Sequence, residues 1–227
     1  MSVPIIIFHH AVFEIAGEML PAALDICFDQ MEALRSSGLL DAAAEMYCGV
    51  NGGQSSKMFA DGLLPKKATI VYHGDACRNE NRTILMMQDY AKSAKGEAYL
   101  FYQHQKGSTH ATGSDYASFA GRWRQRMMHH CVTNWRTCVA DLDAGFEVAC
   151  CHWLTGQGWD RSQHFAAGTI YWTKASFLAT VPSLLTRQRI KDSGIDSIES
   201  RFEAEVLIGN GPRLPRVKDY YSGELGT

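Results

Sequence analysis

Short apolar runs of strand length alternate with segments of helical spacing along the first two thirds of this chain. Val3–Phe8 (VPIIIF) is apolar and rich in β-branched residues, and Ala44–Val50, Ala68–Tyr72 and Tyr99–Gln105 repeat the theme. Such runs read as strands buried on both faces. Between the first two, Leu24, Cys27, Phe28, Met31 and Leu34 recur three or four residues apart and form one apolar helix face. Ser36-Ser37-Gly38 closes that helix, with Gly38 suited to the left-handed cap. Asn79–Lys95 reads as a second helix. Strand–helix alternation predicts an α/β, Rossmann-type, mostly parallel sheet with helices on both faces. With 227 residues and no linker-like stretch, one domain over residues 1–227 is expected.

Beyond Tyr99 the pattern loosens. Gly107–Ser118 reads as a Gly/Ser/Thr-rich loop. Trp123, Met127, Cys131, Trp135, Cys138 and Leu142 then trace the strongest helical stripe in the sequence. Phe146–Trp153 and Gly168–Trp172 are expected as a fifth and a sixth strand, with a loop over Thr155–Ser162. Lys174–Leu185 reads as a short helix interrupted at Pro182, and Ser197–Ile208 as the last helix. The tail from Gly209 is expected to wrap the surface.

Charge excludes several function classes. Lys and Arg number 22 against 24 Asp and Glu, a net −2, so no bulk charge draws the chain to nucleic acid or a membrane surface. Seven Cys without a CxxC pair read as reduced, mostly buried thiols. Cys150 and Cys151 are adjacent in an expected strand, so they point to opposite faces. No signal segment or membrane-length apolar run is visible, and a cytoplasmic location is expected.

Polar and glycine residues gather where the expected strands end: His9-His10, Asn51-Gly52-Gly53, His73-Gly74-Asp75 and His104-Gln105-Lys106-Gly107. Open parallel sheets bind ligands at the carboxyl ends of their strands. His104 and Lys106 are two apart, so a strand puts them on one face, and Gly107 lets the backbone turn. The cluster at Asn51 lacks the GxGxxG spacing and reads as a turn rather than a phosphate loop.

Further short motifs recur along the chain. They are Ser37-Gly38-Leu39 before the second strand, Glu80 ahead of the next helix, and Trp123-Arg124 with Met127 in the long helix. His164-Phe165 then precedes Gly168-Thr169-Ile170-Tyr171-Trp172, and Ala204-Glu205 precedes Ile208-Gly209. In this order, with the opening strand ending in His and the His-x-Lys-Gly step, the series resembles a family of small glycosyltransferase-like proteins. That family has the nucleotide-diphospho-sugar transferase (GT-A) fold. The likeness covers nearly the whole chain. It departs from the family pattern at Thr169, where the family has Asn, at Leu207, where it has Trp, and in one extra Ala before Gly168.

The resemblance implies an inverting sugar transfer from a nucleotide-diphosphate donor to a glycan, polysaccharide or other hydroxyl acceptor. His9, Asn51, His104, Lys106 and Gly107 are then the expected nucleotide-sugar residues. Arg124, His164, Gly168, Thr169 and Trp172 are the expected substrate residues. Many GT-A enzymes neutralise the leaving diphosphate with Mn or Mg held by an Asp-x-Asp after the fourth strand. Here His104-Gln105-Lys106 stands in that place, and a lysine ammonium can meet phosphate directly. Asp75 is the remaining metal candidate. Asp141-Leu142-Asp143 spells Asp-x-Asp but falls at a helix end. Glu205, among apolar neighbours, is the expected general base of an inverting transfer. A nucleotidyltransferase shares this sheet but carries a Gly-rich loop after its first strand, where this chain reads His9-His10-Ala11-Val12-Phe13. A noncatalytic carbohydrate-binding domain is the third reading.

Overall fold

The computed structural model describes residues 2–20, 22–74, 79–110, 113–157, 163–197 and 199–223. The first half contains β1 (Ile5–Val12), a small hairpin of β2 (Glu14–Ile15) and β3 (Glu18–Met19), α1 (Ala23–Ser36) and α2 (Leu39–Ala42). It continues through β4 (Glu45–Asn51), α3 (Gln54–Leu63), β5 (Ala68–Gly74), α4 (Asn81–Ser93) and β6 (Tyr99–His104). The second half contains α5 (Asp115–Met128), α6 (Trp135–Asp143), β7 (Val148–Cys150), β8 (Trp153–Gln157), β9 (Gln163–Ala166) and β10 (Tyr171–Lys174). It closes with α7 (Ala175–Leu178), α8 (Gln188–Ser193), α9 (Arg201–Val206) and β11 (Val217–Asp219).

Seven strands form the central sheet in the order β11-β7-β10-β6-β1-β4-β5. β1 pairs in parallel with β4 and β6, and β4 in parallel with β5. β10 is inserted antiparallel between β6 and β7, and β11 lies parallel to β7. The sheet is therefore mostly parallel, with helices on both faces, as the alternation predicts. Successive strand residues face opposite layers. Ile5, Ile7 and Ala11 of β1 pack with Cys27, Met31 and Leu34 of α1 and Trp123 and Met127 of α5. Ile6 and Phe8 pack on the other side with Ile84 and Met87 of α4 and Leu178 of α7. Each fully buried side chain of this size contributes about 1.5–3 kcal/mol. Cys150 and Cys151 divide between the two layers, and the described cysteines are buried and free.

Several elements depart from the sequence reading, each for a local reason. β1 does not stop at Phe8. It is paired on both edges as far as His10, with His9 between Cys48 and Gln103 and His10 between Gly49 and His104. Helix α3 begins directly after the expected turn at Asn51-Gly52-Gly53. The long helical stripe breaks into α5, a π-helical turn over His129–Thr133, and α6. The expected fifth strand is cut to β7 because His152 adopts φ +59 and turns the chain into β8. β8 pairs with β9 in a hairpin where a loop was expected. The sixth strand starts only at Tyr171, since Gly168 (φ +85) and Thr169 (φ +52) form a turn. Part of the tail joins the sheet as β11.

The connections set the position of the site. From β1 the chain moves outward through β4 to β5, then returns to place β6 on β1's other edge. Strand order reverses there, and the crevice beyond the carboxyl ends of β1 and β6 is where open α/β sheets take ligands.

Candidate functional site

A cleft of about 330 Å³ opens at this reversal, lined by His10, Asn51, Glu80, His104, Lys106 and Arg201 among others. The carboxyl ends of β1, β4 and β6 form its floor. Gln105 ties the floor together: its Oε1 accepts from Val12 N–H at 2.6 Å and its Nε2 donates to Ala23 O at 2.9 Å. Gly107 (φ +93) turns the chain away. Arg124 Nη1 donates to Lys106 O at 2.5 Å, so this arginine holds the turn that presents Lys106.

Glu80, just before α4, sits at the back of the cleft with little exposure. Its Oε2 accepts from Tyr102 Oη at 2.7 Å and lies 2.9 Å from His104 Nδ1. Burial pushes this carboxyl up, but His104, Tyr102 and His10 together outweigh it and hold the group at about 2. His104 Nε2 faces Gly168 O at 2.8 Å, and Gly168 N–H donates to Glu205 Oε1 at 3.0 Å. Both ring nitrogens of His104 thus meet acceptors. A neutral ring satisfies one of them, and a protonated ring satisfies both. The chain Glu80–His104–Gly168–Glu205 fastens β6 to the turn before β10 and to α9.

His10 is held on the α4 side. A Cβ on Gly49 would lie 2.1 Å from Thr83 Oγ1, so only glycine admits that hydroxyl, which pairs with His10 Nδ1 at 2.9 Å. Asn51 Nδ2 faces His10 Nε2 at 3.2 Å. Burial pushes His10 down to about 4, which leaves Nε2 free to accept from Asn51.

Lys106 is the principal cation. Its ammonium lies 4.2 Å from the Trp123 ring centre, and among the described residues it has no ion-pair partner. Burial pushes it below the ordinary lysine value, Glu205 and Glu80 oppose that, and Arg201 adds to it.

The structure places the sequence-selected residues as follows. Asn51, His104, Lys106 and Gly107 line the cleft. Gly168 and Glu205 join it through the hydrogen-bonded chain, and buried Thr169 continues the Gly168 turn. His9 points into the opposite layer, fully buried, with both ring nitrogens unpartnered. Trp172 is in the core, stacked on Phe101 at 4.9 Å, with Nε1 donating to Cys131 O at 2.8 Å. His164 borders a separate open hollow of about 460 Å³ with Arg187 and Asn210. Asp75 lies outside the described residues. Among the cleft residues given no site role from sequence are His10, Arg201 and Glu80, the last noted there only as a motif match. Arg201 and Glu205 are four apart, one helical turn, and that spacing was the available signal for Arg201.

Among the described residues no three His, Cys, Asp or Glu side chains gather to hold a metal. At the Asp-x-Asp position, the His104 ring and the Gln105 amide are both engaged in the bonds given above. Asp143 accepts from Tyr99 Oη and Asp141 from Tyr220 Oη at 2.7 Å. Tyr99 opens β6, so Asp143 sits at the opposite end of that strand from the cleft. The described residues do not fit a bound divalent ion. No helix among them is long and apolar enough to cross a membrane.

No family model matches this chain, and no curated protein matches its sequence. Solved structures similar to it include CMP:2-keto-3-deoxy-manno-octonic acid synthetase complexed with CTP, at 9% identity over 97% of this chain and 90% of that one, with TM-score 0.45. A 4-diphosphocytidyl-2C-methyl-D-erythritol synthase from Anaerococcus prevotii matches at 10% identity over 99% and 89%, with TM-score 0.45. Another synthase of that name matches at 9% identity over 79% and 78%, with TM-score 0.37.

Proposed function

We propose that the cleft binds a nucleotide-diphosphate sugar and that the chain transfers the sugar to a hydroxyl of a glycan or other acceptor. The observation that carries this reading is Lys106, a largely desolvated cation without an ion-pair partner among the described residues, at the reversal of strand order. Such a cation is suited to an anionic group and gains from neutralising a diphosphate as it departs. In the proposed step the acceptor oxygen attacks the anomeric carbon. The bond from that carbon to the diphosphate oxygen breaks, and the electron pair leaves with the nucleoside diphosphate. The acceptor proton passes to Glu205. One Glu205 oxygen is used by Gly168 N–H, and the other makes no hydrogen bond among the described residues.

The test is titration with a panel of nucleotide sugars, followed by product analysis with a mixed set of glycan acceptors. Lys106→Ala is expected to weaken donor binding and lower turnover on the order of 100-fold. Glu205→Gln is expected to keep donor binding and lose transfer. Binding without transfer by the unaltered chain would favour a carbohydrate-binding domain. Release of pyrophosphate from CTP or UTP, with the nucleotide joined to a sugar, would replace glycosyl transfer by nucleotidyl transfer. Against that second reaction stands the segment after β1, where buried Phe13 and the β2–β3 hairpin take the place of a Gly-rich loop.

A further inference from the structure

We propose that Arg201 is the second phosphate-binding cation of the cleft, and that together with Lys106 it makes the site selective for a diphosphate over a single phosphate. The inference deepens the nucleotide-sugar reading and rests on the same cleft.

Arg201 and Lys106 come from distant parts of the chain, the start of α9 and the turn after β6, yet they line one cavity. Arg201 is exposed, and among the described residues it makes no ion pair; its one ring contact is with Phe202 at 5.4 Å. That is unusual in its surroundings. Arg187 and Arg189, which also reach α9, are both paired with Glu203. Neither acid of α9 forms an ion pair with Arg201 or Lys106 among the described residues. Glu203 is taken by Arg187 at 2.5 Å, and Glu205 Oε1 by Gly168 N–H. Glu80, the acid at the back of the cleft, is occupied by His104 and Tyr102. Lys106 and His110 both feel Arg201 as a like charge. Glu205 and Glu80 offset part of that charge at Lys106, yet neither cation has an ion-pair partner among the described residues, so the cleft offers two cations to a ligand with two linked negative groups.

The mounting of Arg201 is rigid. The residue before it, Ser200, is fully buried. Asn81 Nδ2 donates to Ser200 O at 3.2 Å and to Ser200 Oγ at 3.0 Å, and Ser200 Oγ donates to Ser197 O at 2.8 Å. The base of the side chain is thus fixed to the start of α4. From that anchored base the guanidinium offers a planar fork to one phosphate, while the lysine meets the other as a point charge. A single phosphate engages one of the two.

Inorganic pyrophosphate and inorganic phosphate test this without knowledge of the base or sugar. Calorimetric titration of the full chain is expected to give pyrophosphate about 10- to 100-fold tighter than phosphate. Arg201→Ala is expected to lose that preference while keeping phosphate affinity, and Arg201→Lys to recover part of it. Equal pyrophosphate affinity in the unaltered chain and in Arg201→Ala would overturn the assignment. UDP, GDP and CDP form the second arm. If pyrophosphate binds through Arg201 but none of these does, the nucleotide reading falls and the diphosphate assignment stands. If a nucleoside diphosphate binds and Arg201→Ala leaves its affinity unchanged, the reading stands and the assignment falls. If neither arm binds, both fall.

Discussion

Glu80 keeps its charge although most of its surface is buried. The offset comes from His104 and Tyr102, and His104 passes the constraint on to the Gly168 carbonyl. Glu80→Gln preserves the shape and removes the charge. It is expected to cost about 2 kcal/mol, the scale of a hydrogen bond to a charged group. Urea denaturation measures it, and an unchanged midpoint would show that the pair is incidental. His9 and His10 make the same point about position. They are adjacent, so one faces the cleft and the other the α1 layer. Sequence placed both at the edge of the sheet. Only the pairing of β1 shows that His10 is the cleft residue and that His9 lies opposite Gln103.

At the scale of elements, α9 is short, and its position depends on α4. Asn81 Nδ2 bonds Ile195 O, Ser200 O and Ser200 Oγ, while Arg82 meets Asp196 at 2.7 Å. Asn81→Ala removes the first group of contacts and leaves the carbonyls it served underbonded. The expected loss is about 1–3 kcal/mol of stability. Amide hydrogen exchange gives the sharper readout. Protection in α9 should fall while β1 and β6 keep theirs, because local opening follows the contacts that close an element. Uniform loss across the sheet would mean that Asn81 supports the whole fold rather than the mounting of Arg201. Sequence pattern showed α9 as a helix, since its apolar spacing is local. It did not show the attachment to α4, because asparagine hydrogen bonds leave no periodic trace.

For the whole molecule, the buried histidines set the response to acid. Burial, with smaller contributions from His10 and His104, pushes His9 down to about 3, against an ordinary value of 6.5. His10 stands at about 4 for the same leading reason. As pH falls below 6.5 the unfolded chain takes up protons that the folded chain refuses. Stability is therefore complete above that value and declines toward pH 4, by about 1.4 kcal/mol per pH unit for each histidine. Glu80 acts in the same direction further down. Its folded value is about 2 against 4.5, so its contribution is present above 4.5 and fades as pH falls toward 2. Urea-derived stabilities between pH 7 and 4 should trace this decline. His9→Leu should flatten it by about one proton, and since both ring nitrogens of His9 are unpartnered, the apolar replacement forfeits no hydrogen bond. An unaltered slope in that variant would remove His9 from the account.

Runs of β-branched and aromatic residues, a helical stripe on α1 and glycine at position 38 are local signals. Each depends on neighbours a few residues away, so the amino-acid order was enough to specify an α/β chain with a parallel core. Strand ends bearing His104, Lys106 and Asn51 were legible for the same reason. Direction and partnership were not. The reversal of β10, the recruitment of β11 from the tail, the burial of Trp172 against Phe101 and the placing of Arg201 and Lys106 on one cleft all depend on contacts between distant segments. Burial patterns say that a residue is inside, and long-range packing chooses which face, which neighbour and which cleft it meets.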